Sequence, residues 1–237
     1  MKISPHIQHS FVFIGIIGLV FGGASLYSSF TKKNIQKITI ADRISKAETH
    51  KAEQKDSPLL TKEQSSSLAD STLAFSVGPR DARVVVVEFI DFQCPFCREA
   101  HTTMKQLMEH YRNTSVRFVI RQFPLIPIHP FALATAHASL CARDQEKFLS
   151  LHDLFYERQH EINEAAIYSF AGEIGLDLSK FNACIAQKIH QNVIIKDISD
   201  GERLDIQGTP TWFVNGEKFE GALSYDAFKE VIDQALQ

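Results

Sequence analysis

"RVVVVEFIDFQCPFCREAHTTMKQLMEHY", residues 83–111, decides the fold. It opens on four consecutive valines, the pattern of a strand buried on both faces. A helix follows at once. Pro95 suits a first helical position, because its missing N–H would have no partner there, and this makes Cys94 the N-cap. Ala100, Met104, Leu107, Met108 and Tyr111 then recur at helical spacing along one face. "VRFVIRQF", 116–123, reads as a second strand. Strand, helix and strand in this order imply a parallel pair joined by a crossover.

Two cysteines stand at the join, Cys94 and Cys97. A zinc site needs a second pair of ligands, and the other cysteines, Cys141 and Cys184, stand alone without a CxxC or HxxxH partner. A structural staple is the second alternative, yet so short a loop with its first cysteine capping a helix makes a better redox site. Unpaired amides and the helix dipole favour a thiolate at Cys94. A low thiol pKa also makes Cys94 a good leaving group, so its disulfide passes readily to another protein. Cys97, one turn inside the helix, is placed to resolve the mixed disulfide.

Beyond this unit the pattern changes. A helical tract runs over roughly 128–205 and includes "HPFALATAHASLCA", "QEKFLSLHDLFYE", "NEAAIYSFAGEIG" and "LSKFNACIAQKI". Gly175 is a helix stop. "GTPTWFVNGEKFEGA", 208–222, returns to strand, with Asn215-Gly216 as a two-residue hairpin signal. "SYDAFKEVIDQAL" closes the chain as a helix. The outline is βαβ, a helical insertion, then ββα.

These segments together resemble the DsbA-like branch of extracytoplasmic thiol–disulfide oxidoreductases. The expected fold class is α/β, a thioredoxin-like fold with an inserted all-helical subdomain. The resemblance covers 75–237, with the thioredoxin core at 75–123 and 206–237 and the helical insertion at 124–205. It implies Cys94 and Cys97 as the redox-active pair. It also implies a turn at Thr209-Pro210 beside them, with a cis proline that leaves backbone exposed to an extended substrate. Glu88 matches the buried acid of the fold, raised in pKa and able to carry the proton of Cys97. An edge-exposed strand Glu is the plain alternative. Phe96 and His129 are candidate substrate-site residues, His129 equally readable as a surface residue at a helix start. His101, His110, His137 and His152 are taken as helix-face residues. Arg117 and Arg121 are read as flanking the second strand, with no role.

Relatives with a second disulfide in the insertion point to a Cys141–Cys184 bridge, worth about 3–4 kcal/mol for a loop of that length. No dissociable cofactor and no metal are implied. The expected partners are exported proteins with cysteines and a membrane quinone-linked reoxidase, DsbB-like or vitamin-K-epoxide-reductase-like. Phe96 departs from the family's strong oxidants, which carry His inside the motif. Thr209 also stands where those oxidants have Val. Both point to a milder oxidant and keep isomerase or reductase function open. A thioredoxin-fold binding or chaperone module is the reading from another class.

The rest of the chain is organised around this domain. Residues 1–10 form a short head. "FVFIGIIGLVFGGASLY", 11–27, carries no charge, and the apolar segment 11–30 approaches the roughly 20 residues that span a bilayer. Its cleavage pattern is poor, which favours a transmembrane anchor over a cleaved signal. Lys32, Lys33 and Lys37 just beyond it oppose export. The redox chemistry favours an extracytoplasmic site, periplasmic or on the outer face of the membrane. Residues 31–74 read as a polar spacer. The formal net charge of -3 gives no basis for nucleic-acid binding, and 44% apolar with 22% charged residues reads as globular.

Overall fold

The computed structural model describes residues 60, 61, 68 and 74–237. The expected head, the apolar segment 11–30 and most of the spacer lie outside the described residues. No helix among the described residues is long and apolar enough to cross a membrane.

Five strands form one sheet: β1 (Phe75–Val77), β2 (Val84–Ile90), β3 (Val116–Gln122), β4 (Thr211–Val214) and β5 (Glu217–Glu220). Their spatial order is β1-β3-β2-β4-β5. β2 and β3 run parallel, with Val84 opposite Val116 and Glu88 opposite Ile120. β4 pairs antiparallel with β2, placing Trp212 opposite Glu88. The β4–β5 hairpin turns at Asn215 and Gly216, both with positive φ, as the Asn-Gly pair predicts.

Period two along β2 divides the core. Val84 and Val86 pack with Ala100, Met104 and Leu107 of α1 (Pro95–His110) and with Phe228 and Ile232 of α7 (Tyr225–Leu236). Val87 and Phe89 face the other way, against Val119, Phe123 and Phe213. Between β3 and β4 lie α2 (Ala132–Arg143), α3 (Phe148–Glu157), a 3-10 turn (Gln159–Glu161), α4 (Glu164–Glu173), α5 (Leu178–Ala186) and α6 (Gln191–Arg203). Side-chain oxygens of Asn163 and Asp177 cap α4 and α5.

The structure corrects one expectation and adds to others. β1 is a strand the sequence reading did not assign, because three residues are too few to show a period. It pairs antiparallel with β3, and Gly78 after it is irreplaceable: φ is 109° and a Cβ would sit 2.3 Å from the Val116 carbonyl oxygen. Two residues of the expected spacer touch the domain. Leu68 is buried with Val87, Phe89 and Phe213, and the Leu60 N–H donates to the Gly216 carbonyl at 3.2 Å. Arg117 and Arg121 do not flank β3; they lie within it and are buried. His101, His137 and His152 lie on helix faces that are buried, where His101 and His152 meet each other and Asp153.

Candidate active site

The motif helix begins as the sequence requires. Cys94 is the N-cap of α1, extended at φ -72° and ψ 123°, and Pro95 occupies the first turn. Both cysteines are buried and unbridged. The Cys94 thiol donates to the Thr209 carbonyl oxygen at 3.0 Å, and the Thr209–Pro210 peptide is cis. Phe96, between the cysteines, is 59% exposed.

The two sulfurs sit in opposed environments. A hydrogen bond from the Cys97 thiol lowers the Cys94 pKa to about 6 against the effect of burial, with Thr209 and then the backbone amides of Cys97 and Phe96 adding to it. Cys97 is pushed well above the usual thiol range, first by burial and then by the neighbouring Cys94 sulfur and Glu88. One member of the pair is a ready thiolate at neutral pH, and the other holds its proton.

Glu88 lies in the middle of β2, on the side-chain face of Val84 and Val86. That face is covered by α1, the helix that carries Cys97. Burial is almost complete, and it holds the carboxyl well above the usual carboxylate range. Glu88 is in turn one of the groups that push the Cys97 thiol up.

A polar clasp fixes the loop that leads into the motif. Asp91 is buried, and one carboxylate oxygen accepts from the Gln93 N–H at 2.7 Å. Its other oxygen accepts from the Leu125 N–H and faces His129 Nδ1, both at 2.7 Å. The Gln93 side chain accepts from the Phe131 N–H. His129 is thus held by Asp91, just upstream of Cys94, and joins the β3–α2 loop to the motif. Gln159, after α3, donates to the carbonyls of Phe92 and Cys94, each at 2.9 Å.

The thioredoxin family model matches residues 70–234. The chain belongs to the thioredoxin family. Na(+)/H(+) antiporter NhaA 3 of Salinispora tropica is 36% identical over 159 residues, which is 67% of this chain and 24% of the antiporter. The chain thus spans about a quarter of the length of the curated relatives it matches. A thioredoxin-like oxidoreductase from Silicibacter pomeroyi DSS-3 superimposes with TM-score 0.66 at 25% identity, covering 74% of this chain and 98% of that one. The thiol-disulfide exchange protein α-DsbA2 from Wolbachia pipientis shares the fold, with TM-score 0.63 at 20% identity over 72% of this chain and 95% of its own. This thioredoxin-family chain has the DsbA-like form of the fold, a thioredoxin core with a helical insertion, and its CxxC pair is Cys94 and Cys97.

Away from the CxxC pair, the thioredoxin-family domain carries a second cysteine pair. Cys141 of α2 and Cys184 of α5 are bridged, with S–S 2.02 Å and Cα–Cα 5.9 Å. The bridge ties two insertion helices. His101 and His152 both contact one oxygen of Asp153, at 2.9 and 3.1 Å, and Lys105 takes the other at 2.7 Å. Burial, which would raise the Asp153 pKa, is outweighed by these three hydrogen bonds, so Asp153 lies well below the usual range. The group connects α1 to α3. The sequence reading missed Asp91, Gln93 and Gln159. Asp and Gln beside a motif carry no spacing signal, and their partners lie in other elements.

Proposed function

We propose that this protein exchanges the Cys94–Cys97 disulfide with cysteines of exported proteins, outside the cytoplasm, and that it runs mainly as an oxidant. The carrying observation is the asymmetry of the pair: a Cys94 pKa near 6 beside a Cys97 that stays protonated. A substrate thiolate attacks Cys94, and the mixed disulfide resolves when the substrate's second thiolate displaces Cys94. A stabilised Cys94 thiolate favours the reduced enzyme, which is the thermodynamic meaning of an oxidant. In this reading Glu88 moves the proton of Cys97, while Thr209 and Pro210 present backbone to an extended substrate. Phe96 and His129 border that surface. The bridge between Cys141 and Cys184 supports an oxidising compartment. Residues 11–30 would anchor the chain there, and a quinone-linked membrane reoxidase of the DsbB or vitamin-K-epoxide-reductase kind would restore the disulfide.

Isomerase or reductase action is the second reading, favoured by Phe96 and Thr209 at positions where strong oxidants carry His and Val. One measurement tests exchange and a second separates the two readings. Cys97→Ser should trap exported proteins on Cys94 as mixed disulfides; a variant that captures no cysteine-containing protein rules out exchange. Equilibration of the wild-type pair with glutathione should then give a potential more oxidising than that of glutaredoxins, about -200 to -230 mV. A lower value would make the protein a reductase.

A further inference from the structure

Tyr156 has no role in the exchange chemistry so far described, yet it lies beneath the motif. It belongs to α3 of the insertion and is 2% exposed. Its ring packs 5.2 Å from Phe92, which precedes Cys94, and 5.2 Å from His101, which follows Cys97 by one helical turn. Cys94, Cys97 and Tyr156 share one buried cluster. Gln159 anchors the end of α3 to the carbonyls of Phe92 and Cys94, so the ring cannot drift from the motif. The Tyr156 hydroxyl is buried and has no hydrogen-bond partner among the described residues in the dithiol form. Nearly all buried polar atoms in native proteins are paired. Phenylalanine would fill the same volume without leaving a hydroxyl unsatisfied. The hydroxyl is thus a buried donor next to the motif with no protein acceptor among the described residues in the dithiol form.

We propose that the Tyr156 hydroxyl is the hydrogen-bond donor that receives the Cys97 thiolate when the Cys94–Cys97 bond opens. This rests on the exchange reading given above. A substrate thiolate attacks the Cys94 sulfur, forming the mixed disulfide and breaking the Cys94–Cys97 bond. The electron pair of that bond passes to the Cys97 sulfur, so the substrate sulfur is oxidised and Cys97 reduced. Tyr156 donates to the new thiolate, which then takes the proton held by Glu88. The reverse step uses the same contacts, so the role does not depend on direction. Burial first, and then the neighbouring Cys97, Glu88, Asp91 and Cys94, hold the phenol well above its usual range. It can donate but does not surrender its proton.

The test uses the full chain with its CxxC pair oxidised, and glutathione as attacking thiol, with acid quenching and mass measurement of the adduct. Tyr156→Phe should slow attack at pH 7 at least fivefold. The pH midpoint of Cys94 alkylation in the reduced protein should not move, and the melting temperature should stay equal or rise. An attack rate within twofold of wild type overturns the proposal, as does a slowing that tracks a shifted Cys94 midpoint. If the Phe variant does not fold, 3-fluorotyrosine at 156, a stronger donor of nearly the same shape, should speed the attack; no acceleration overturns the proposal. A wild-type disulfide inert to glutathione removes the exchange reading itself, a result distinct from a Phe variant as fast as an active wild type.

Discussion

The Cys94 sulfur and the Thr209 carbonyl oxygen, 115 residues apart in the chain, lie 3.0 Å from each other. A carbonyl can accept only the thiol's hydrogen, so this contact is given up when Cys94 ionises. The Cys97 thiol and the amides of Cys97 and Phe96 then hold the charge, and their sum wins, with the pKa falling from 9.0 to about 6. Alkylation of the reduced protein by iodoacetamide should rise to a midpoint near pH 6 and stay flat through pH 8. A midpoint near 8.5, that of an ordinary cysteine, would show that neither the Cys97 thiol nor the amides stabilise the thiolate. Stability follows with a definite sign. A depressed thiol pKa stabilises the folded reduced state fully above about pH 9, and the contribution is lost as pH falls through about 6. Its ceiling is about 4 kcal/mol, at about 1.4 kcal/mol per tenfold. Reduced and oxidised forms unfolded in urea should therefore converge in stability, relative to pH 8, as the pH is taken below 6.

Glu88 works in the opposite sense. Its folded pKa is raised by burial, so the unfolded chain releases its proton first as pH rises. The native state is thus penalised from the ordinary Glu pKa upward. Glu88→Gln should leave stability near pH 4 unchanged and raise it at pH 7 by on the order of 1 kcal/mol or more. The same variant should slow turnover by roughly 10²-fold, the lower range for loss of a positioned acid or base. A Gln variant that is less stable at pH 7, or fully active, would remove Glu88 from proton transfer.

How much of this was legible depended on whether a residue's reason was local. The valine run, Pro95 behind Cys94 and the Asn215-Gly216 turn are local signals, and each element formed where they stand. Their long-range assembly, with Thr209 beside Cys94, was legible only through resemblance to a known family. Arg121 shows the other limit. An Arg in a strand between apolar neighbours looks like an edge residue, since burying a guanidinium is costly without partners. Its partners, Asp197 and Asp200, lie one turn apart on a helix that reads as polar and exposed. Gln159 escaped for the same reason: its two acceptors are backbone carbonyls, which leave no trace in side-chain pattern. The hydroxyl of Tyr156 was likewise invisible, because in a helix its ring reads as any core aromatic.

Arg121 accordingly carries a stability prediction. Its Nε reaches Asp197 at 2.5 Å and its Nη2 reaches Asp200 at 2.5 Å, all three side chains being nearly inaccessible. Asp197 also accepts the Gln122 N–H at 2.8 Å, and Arg121 Nη1 donates to the Leu68 carbonyl at 3.2 Å. The cluster fastens α6 of the insertion to the central sheet, and Leu68 to both. Arg121→Ala leaves Asp197 buried without a cation, while Asp200 keeps Lys196 and Arg203, and should destabilise by about 3–5 kcal/mol. Replacing all three by apolar residues of similar volume should recover most of that loss. A single variant that unfolds at the wild-type urea midpoint would mean the cluster is solvated in solution.

Phe96 carries a prediction about the potential of the pair. It stands in the first turn of α1, 59% exposed, where its ring offers the Cys94 thiolate neither charge nor N–H. A histidine here would place an imidazolium near that sulfur. Exposure limits the gain to that of a charge at a helix end, about 0.3–1 kcal/mol. A direct hydrogen bond to the thiolate would bring about 1.5–3 kcal/mol. At about 30 mV for each 1.4 kcal/mol, Phe96→His should make the potential more oxidising by about 10–60 mV. The two contributions can be told apart by salt. A field effect fades as ionic strength rises, whereas a formed hydrogen bond keeps most of its share. Because the added charge acts on the thiolate alone, the Cys94 alkylation midpoint must fall in step with the potential. A potential that rises while the midpoint stays fixed would mean that the introduced imidazole strains the disulfide instead of stabilising the thiolate.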